Sequence, residues 1–229
     1  MATVNHVVPG VHWGSLPVLD QVRWRRLGCD DVLRRSEQRR DLTGQPVVPV
    51  FFGGLGGYRV FRIPCLARAG RALLAFAEAR PTVDDHGRID LVLRRSWDGG
   101  QTWGGIEVVA SGGRAGQTFG NPVPIYLPRL KRLLLLYSSN AAHLIEDAIR
   151  DGKGGAGRRV WLTTSDDGGG NWSAPAELTA TVKRPGWMWY ATGPGGAIIT
   201  RNGTIVVPAT HSAGIAAVST GHDHTHVLL

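Results

Sequence analysis

The sequence predicts an all-β fold built from repeated sheet units, and three observations support that prediction. Residues 96–103 (SWDGGQTW) recur 69 positions later as residues 165–172 (SDDGGGNW). Short apolar runs that favour strands lie on both sides of each copy. The 229-residue chain also contains 32 glycines and 13 prolines, which is typical of a protein with many short strands and turns. A repeat with such flanks is typical of the four-stranded blades of a β-propeller.

Both copies of the repeat read Ser-x-Asp-x-Gly-x-(Thr/Asn)-Trp, a pattern that predicts a tight β-hairpin turn. The Asp carboxylate can accept hydrogen bonds from turn amides, and glycine adopts the positive φ values that such a turn needs. The Trp side chain can fold beneath the hairpin as an apolar plug. We therefore expect the two turns to stabilise the sheets rather than to bind a ligand.

The sequence divides into an N-terminal extension over residues 1–44 and an incomplete β-propeller over residues 45–229. The extension is rich in arginine, and residues 22–40 have weak helical periodicity. Strand-like runs then follow at residues 49–52, 58–66, 71–79, 89–95, 122–126, 132–138 and 159–165. A third unit starts at residue 188 and runs through 197–199 and 204–207 to 225–229. Residues 141–150 have helical spacing and interrupt the second unit. We expect two complete blades and an end to the chain within a third.

The formal net charge is +8 and the isoelectric point is near 10.3, with arginine supplying most of the positive charge. The run at residues 23–26 (RWRR) is a candidate nucleic-acid patch, but no recognition motif accompanies it. We therefore expect selected arginines to bind an anionic small substrate, and no nucleic acid. No stretch approaches the roughly 20 apolar residues of a membrane span, and no secretory signal is visible, so localisation stays open.

The two cysteines and one His-rich segment do not predict a disulfide or a metal site. Cys29 and Cys65 are expected to be free thiols, because one pair of cysteines does not make a disulfide framework. The segment 222–226 (HDHTH) has the spacing of metal ligands, but it also has the pattern of a blade strand. We therefore expect neither a metal site nor a cofactor.

A second set of motifs lies upstream of the first Ser-x-Asp turn. Phe61-Arg62-Ile63-Pro64 is followed by residues 76–80 (FAEAR), 84–87 (DDHG) and 93–96 (LRRS). In this order the motifs resemble the N-terminal portion of the exo-α-sialidase (neuraminidase) family, in which the Ser-x-Asp turns are called Asp boxes. The resemblance covers residues 46–229 and implies a six-bladed β-propeller, of which this chain supplies about two and a half blades. It also implies a retaining glycoside hydrolase that releases terminal sialic acids from glycoconjugates.

The resemblance assigns roles to residues near the first motif. Sialic acid carries a carboxylate on its anomeric carbon, and arginine binds a carboxylate through two parallel charge-assisted hydrogen bonds. Arg62 matches the first arginine of the family's carboxylate site, and Arg80 corresponds to another arginine of the pocket. The general acid/base is implied to be an Asp in the loop after Arg80. Spacing to residues 93–96 selects Asp85 in one group of relatives and Asp84 in another, and we favour Asp85.

Asn121 and Tyr190 complete the set of candidate substrate-binding residues. Asn121 lies in a segment that resembles the loop lining the family's N-acetyl pocket, and Tyr190 lies in one that resembles an aromatic rim. The family's Tyr nucleophile, its Glu partner and two further arginines match nothing in this sequence, so we expect a truncated site. The expected partner is a sialylated glycan or glycolipid, and exposed blade edges favour self-association. The alternative function is a non-catalytic Asp-box module for glycan binding or interaction.

Overall fold

The computed structural model describes residues 39–41, 44, 47–113, 116–153, 155, 157–193 and 195–213, and the backbone of residues 223–228. In this part of the chain three antiparallel sheets follow one another. The first sheet contains β1 (Val60–Ala69), β2 (Ala72–Arg80), β3 (Asp90–Ser96) and β4 (Glu107–Ala110). The second contains β5 (Gln117–Leu127), β6 (Arg132–Ala141), β7 (Arg159–Ser165) and β8 (Ala176–Glu177). The third contains β9 (Trp187–Thr192), β10 (Ile198–Ile199), β11 (Ile205–Ala213) and β12 (Asp223–Leu228).

The first two sheets are meanders in which each strand pairs with the next along the chain. In the third sheet, β11 pairs with β12 along one edge, and β9 and β10 pair with different parts of its other edge. Two short helices, α1 (Glu146–Arg150) and α2 (Thr179–Val182), lie outside the sheets. The all-β prediction is therefore confirmed.

Most of the expected strands are present with ends that differ by a few residues. The strand expected at residues 49–52 is wrong, because this segment bends and Phe51 stacks on Phe61 with ring centroids 5.1 Å apart. The helical spacing of residues 141–150 is realised as the short helix α1. The division into an extension and a propeller stays a prediction, because residues 1–38 lie outside the described part of the chain.

The first two sheets pack against each other through a shared apolar core. Strand β2 is almost entirely buried, because its ALLAFA segment presents small or apolar side chains on both faces. Leu74, Phe76 and Leu93 of the first sheet form one buried cluster with Leu133 and Leu135 of β6. Full burial of such side chains contributes about 1.5–3 kcal/mol each, so contact between neighbouring sheets is a main source of stability. A propeller is held together by packing of this kind.

Some large apolar side chains on the sheets are exposed. Leu66 on β1, Val108 on β4 and Ile198 on β10 are examples. Such surface favours association, so self-association through exposed blade edges stays a prediction for experiment.

The two Ser-x-Asp turns join the third and fourth strands of the first two sheets, and they share one hydrogen-bonding pattern. In the first turn, Asp98 accepts hydrogen bonds from the Thr102 amide at 2.9 Å and from the Thr102 hydroxyl at 2.5 Å. The Ser96 hydroxyl donates to Asp98 and accepts from the Gly100 amide, both at 2.8 Å. The second turn repeats these bonds with Asp167, Asn171, Ser165 and Gly169.

The strand register places the first of these turns at the opposite end of its sheet from Arg62. Ser96 pairs with Leu73 at the start of β2, whereas Arg62 pairs with Glu78 near the end of β2. Five strand positions separate Leu73 from Glu78, which is roughly 17 Å at about 3.3 Å per residue. The turn is therefore remote from Arg62.

Strands β1 and β5 each contain a β-bulge near the N-terminal end of the strand. The pairing shifts after Arg62 in β1 and after Gly120 in β5. In each bulge a residue with positive φ, Ile63 (51°) or Asn121 (56°), precedes a proline. Positive φ is rare outside glycine, and in a β-branched residue such as isoleucine it stores strain. A bulge changes the direction of neighbouring side chains, and Arg62 immediately precedes the first bulge.

Candidate active site

Arg62, Glu78 and Arg80 share one face of the first sheet. Arg62 on β1 lies opposite Glu78 on β2, and Arg80 follows Glu78 by two residues. Side chains alternate between the two faces of a strand, so positions two apart point the same way. Two arginines and a carboxylate are therefore gathered at the end of the sheet that bears the bulge.

Arg80 is held inside this end of the sheet, with 3% of the residue exposed. Its Nε atom donates to Oε2 of Glu78 at 3.0 Å, and its Nη2 atom donates to the same oxygen. Glu78 is 4% exposed. Burial acts to lower the pKa of Arg80, but the charge of Glu78 and the hydrogen bonds to Asp85 and Glu78 raise the pKa overall. The guanidinium is therefore a fixed cation.

Asp85, in the loop between β2 and β3, completes the cluster. Its Oδ1 atom accepts hydrogen bonds from Nη1 of Arg80 at 2.5 Å and from Nη1 of Arg62. Its side chain is 71% exposed, so it can meet a ligand. Asp84 contributes its main-chain carbonyl to Arg80 at 2.9 Å. The structure thus brings Arg62, Arg80 and Asp85 together, and the carboxylate in contact with both arginines is that of Asp85.

The surroundings of Asp85 favour its ionised form. Partial burial acts to raise the pKa of Asp85, but the hydrogen bond and charge of Arg80, with the charges of Arg62 and His86, lower the pKa overall. Such a carboxylate is charged at neutral pH. To act as a general acid it must first be protonated, which the neighbouring cations disfavour.

The loop that carries Asp85 is fastened to the second sheet. The Gly87 amide donates to the Ala142 carbonyl at 2.8 Å, and the Thr118 hydroxyl donates to the Gly87 carbonyl at 2.6 Å. Ile89, at the end of the loop, forms a parallel bridge with Thr118. The site therefore depends on both sheets.

Asn121 lies at the contact between the sheets rather than in the Asp85 cluster. Its main-chain N donates to Oε1 of Glu78 at 3.0 Å. Its side-chain oxygen accepts from Nη1 of Arg158 at 3.0 Å, and its carbonyl accepts from the Thr192 hydroxyl at 2.8 Å. Asn121 is thus linked to Arg80 through Glu78, while its side chain is engaged by Arg158.

Tyr190 does not have the position expected of a substrate contact. It is fully buried, and its ring stacks on Trp187 with centroids 6.1 Å apart. Its hydroxyl is buried without a hydrogen-bond partner among the described residues, and burial raises its pKa to about 12. The segment around Tyr190 forms β9, whose pairing with β11 turns this side chain into the packed interior. The structure thus places Tyr190 in the packed interior, and a ligand contact at this residue stays a prediction.

Two buried charged residues were missed by sequence reasoning. Glu78 is one, and its position two residues before Arg80 on a strand was a usable signal, because such residues share a face. Arg158 is the other, and nothing in the sequence marks it. It lies over the Trp189 ring at 4.5 Å, and its Nε atom has no hydrogen-bond partner within the part of the chain that the structure describes. Burial lowers the pKa of Arg158 to about 10, against the raising effects of Glu78 and Glu146.

Three sequence expectations, on metal binding, membrane spans and free cysteines, concern features that the described residues address only in part. Within residues 47–113, 116–153 and the other described ranges, no group of three or more His, Cys, Asp or Glu could hold a metal ion. Side chains of the segment 222–226 lie outside the described part. Among the described helices, none has the length and apolar character to cross a membrane. Cys65 is buried and free, and burial raises its pKa to about 12, whereas Cys29 is outside the described residues.

A family model for the BNR repeat-like domain matches residues 71–229, more than half of the chain. The chain belongs to this family. An exo-alpha-sialidase of Aspergillus fumigatus is 37% identical over 173 residues, which is 67% of this chain and 42% of the relative. Sialidase-2 of Rattus norvegicus is 32% identical over 160 residues, 65% of this chain and 42% of the relative. The chain spans about two fifths of these relatives, and the resemblance to the sialidases is confirmed.

Solved structures share the fold of this BNR repeat-like chain. Hadza microbial sialidase Hz136 has a TM-score of 0.64 at 24% identity, over 75% of this chain and 38% of that one. Trypanosoma rangeli sialidase in complex with sialic acid has a TM-score of 0.56 at 21% identity, over 77% of this chain and 29% of that one. The three sheets are therefore part of a sialidase-like β-propeller, as the sequence predicts.

Proposed function

We propose that the protein carries the anion-binding and acid/base part of an exo-α-sialidase site, with terminal sialic acids of glycans or glycolipids as substrate. The observation that supports this most directly is the contact of Asp85 with both Arg62 and Arg80. Sialidases among the relatives add support from sequence. In this proposal, turnover requires a complete site, to which this chain contributes Arg62, Arg80 and Asp85.

Arg62 is proposed to bind the substrate carboxylate. Its side chain is 45% exposed, and the hydrogen bond described for it goes to Asp85. The Arg80 guanidinium is buried and already engaged by Glu78 and Asp85. A ligand carboxylate can therefore replace Asp85 on Arg62 while Arg80 continues to hold Asp85 nearby.

Asp85 is proposed to protonate the departing glycosidic oxygen and later to accept a proton from the attacking water. Before substrate binds, the two arginines favour the charged form. A substrate carboxylate on Arg62 compensates one of these cations, which raises the pKa of Asp85 toward its ordinary value. Binding thus favours the protonated form that the first step needs.

Three of the four tyrosines in the sequence, Tyr58, Tyr137 and Tyr190, are poor candidates for the family's nucleophile. The Tyr58 hydroxyl donates to Asp90 at 2.6 Å, and burial raises its pKa to about 12. Tyr137 and Tyr190 are buried, and their pKa values are likewise raised to about 12. A raised pKa disfavours the phenolate, so covalent chemistry in this proposal depends on residues other than these three.

Ligand binding and turnover test the proposal separately. We expect the 229-residue protein to bind sialic acid weakly, as followed by NMR titration, and Arg62→Met to abolish the binding. Arg68→Met is the matched control, because Arg68 lies on the same strand and donates to the Gly70 carbonyl instead. Unchanged binding in Arg62→Met would contradict the assignment of Arg62.

Turnover is followed with a fluorogenic sialoside. We expect no measurable hydrolysis by the 229-residue protein, since loss of a nucleophile and of positioning groups each removes orders of magnitude in rate. A chain extended to include the family's Tyr and Glu is expected to hydrolyse the sialoside and to lose this activity in Asp85→Ala. Strong hydrolysis by the 229-residue protein would contradict the assignment of roles.

A non-catalytic glycan-binding module is the second candidate. It is favoured by the engagement of Tyr58, Tyr137 and Tyr190 in packing or hydrogen bonds. The extended chain distinguishes the two, because a binding module retains sialoside affinity without hydrolysis.

A further inference from the structure

The carboxylate of Glu78 joins the first two sheets beneath the candidate site. One oxygen, Oε2, accepts from Nε of Arg80, and the other, Oε1, accepts from the main-chain N of Asn121, each at 3.0 Å. Glu78 is almost completely buried, so both bonds lie away from water. A buried carboxylate is costly unless its oxygens are paired, which makes this arrangement sensitive to small displacements.

Gly120, just before Asn121, leaves the space that this carboxylate occupies. A Cβ added at Gly120 would overlap Oε1 of Glu78 and lie 2.9 Å from its Cδ. The φ of Gly120 lies outside the left-handed region, so backbone conformation does not require glycine here. Space for Glu78 is therefore the physical reason for glycine at this position.

Arg80 transmits the position of Glu78 to the loop after β2. Two atoms of its guanidinium bond Glu78, while Nη1 reaches the Asp85 carboxylate at 2.5 Å and the Asp84 carbonyl at 2.9 Å. The guanidinium is planar and rigid, so its two sides cannot move independently. A displaced Glu78 therefore displaces the contacts that orient Asp85.

We propose that Glu78 is a positioning residue for Asp85, acting through Arg80, and that Gly120 is the position in the second sheet that permits it. The inference rests on the proposed function only for the acid/base role of Asp85. Through the contact between Gly120 and Glu78, the bulge of β5 helps to position the loop of the first sheet that carries Asp85.

The test is the pKa of Asp85, measured by carboxyl ¹³C NMR on the full 229-residue chain and assigned with Asp85→Asn. Gly120→Ala keeps every charge and moves the Glu78 carboxylate, the flexible end of a side chain. We expect the pKa of Asp85 to rise toward its ordinary value of 3.8, because the Arg80 hydrogen bond weakens. The other groups that face Asp85, Arg62 and His86, are unchanged in this variant.

Glu78→Asp is the second variant and serves if Gly120→Ala does not fold. The shorter side chain keeps its charge but cannot reach both Arg80 and Asn121, so the pKa of Asp85 is again expected to rise. The double variant should raise the pKa of Asp85 little more than Glu78→Asp alone, because both substitutions act on the same contact.

Gly105→Ala and Glu107→Asp are the matched controls. A Cβ at Gly105 meets open space, and Glu107 pairs with Arg95 in the same sheet. Neither control should move the pKa of Asp85, although Glu107→Asp can lower stability. An unchanged pKa in folded Gly120→Ala and Glu78→Asp would overturn the proposal. No sialoside is used, so failure of the proposed function in the binding assay leaves this result independent.

Discussion

Trp172 packs edge-on against Phe76, with ring centroids 6.1 Å apart and an interplanar angle of 72°. Trp172 ends the second Ser-x-Asp turn, whereas Phe76 is a fully buried residue of β2 in the preceding sheet. The plug of one blade is therefore part of the core of its neighbour. A turn that looks local in sequence stabilises the contact between two repeated units.

We expect Trp172→Ala to lower the free energy of unfolding by about 3 kcal/mol, the low end for large aromatic deletions, because the ring is only partly buried. Trp97→Ala is the control, since Trp97 is exposed in the first turn and should change stability by less than about 0.5 kcal/mol. Urea denaturation of both variants measures the difference. Equal effects would mean that Trp172 does not contribute to inter-blade packing.

The first Ser-x-Asp turn should make the free energy of unfolding depend on pH in the acid range. Hydrogen bonds from the Thr102 hydroxyl and amide and from Ser96 lower the pKa of Asp98 from 3.8 to about 2. A carboxyl group whose pKa is lower in the folded state stabilises the fold above its ordinary pKa, and this contribution is lost as pH falls toward the folded-state pKa.

Asp98→Asn should therefore be less stable than the unsubstituted protein at pH 6. The gap between their free energies of unfolding should narrow below pH 4 and close near pH 2. Denaturation curves over this pH range measure it. Asp151→Asn removes an exposed carboxylate paired with Lys153 and is expected to have little effect at any pH. A gap that does not depend on pH would show that the charge of Asp98 is not what stabilises the turn.

Removal of the Asp85 charge should strengthen, not weaken, the binding of sialic acid. In the structure Asp85 pairs with Arg62, the residue proposed to bind the ligand carboxylate. Exposed ion pairs are worth about 0–1 kcal/mol, so Asp85→Asn should raise affinity by up to about fivefold. NMR titration measures this change, and Asp84→Asn is the control because Asp84 contacts Arg80 through its main chain. Weaker binding in Asp85→Asn would mean that Asp85 contributes more through contact with the ligand than it costs by competing with the ligand carboxylate for Arg62.

Lys131, at the turn between β5 and β6, has a positive φ of 52°. Side chains with a Cβ pay a steric cost in this region that glycine does not. We expect Lys131→Gly to raise the free energy of unfolding by about 0.5–1 kcal/mol. Lys131→Ala retains the Cβ and is expected to give no gain. Thermal denaturation of the two variants provides the comparison, and equal stability would contradict the strain.

Local patterns were the part of the structure that could be predicted from sequence. The repeated turns identified the third and fourth strands of two sheets, and the motif around Arg62 identified one end of the first sheet. The resemblance to one group of sialidases favoured Asp85 over Asp84, and the structure places the Asp85 carboxylate against both arginines. These features depend on residues close together in the chain.

The contacts that could not be predicted join residues far apart in the chain. Glu78 meets Asn121 across 43 positions, and Arg158 meets Asn121 across 37. Whether a charged side chain is buried or exposed depends on the neighbouring sheet, which periodicity does not specify. Tyr190 shows the same dependence on distant contacts, because strand pairing in the third sheet buries a side chain that the resemblance implied to lie on an aromatic rim.

The hydrogen bonds from the Asp85 loop to Thr118 and Ala142 limit how this site can be moved to another protein. Propeller blades look like interchangeable modules, yet the smallest portable unit that carries this acid/base residue in place is a pair of blades. A graft of residues 58–113 onto another propeller would transfer Arg62, Arg80 and Asp85 without the groups that anchor their loop. Chimaeras that exchange blades between relatives should therefore be joined after the second sheet. The boundary between the first and second sheets then stays intact.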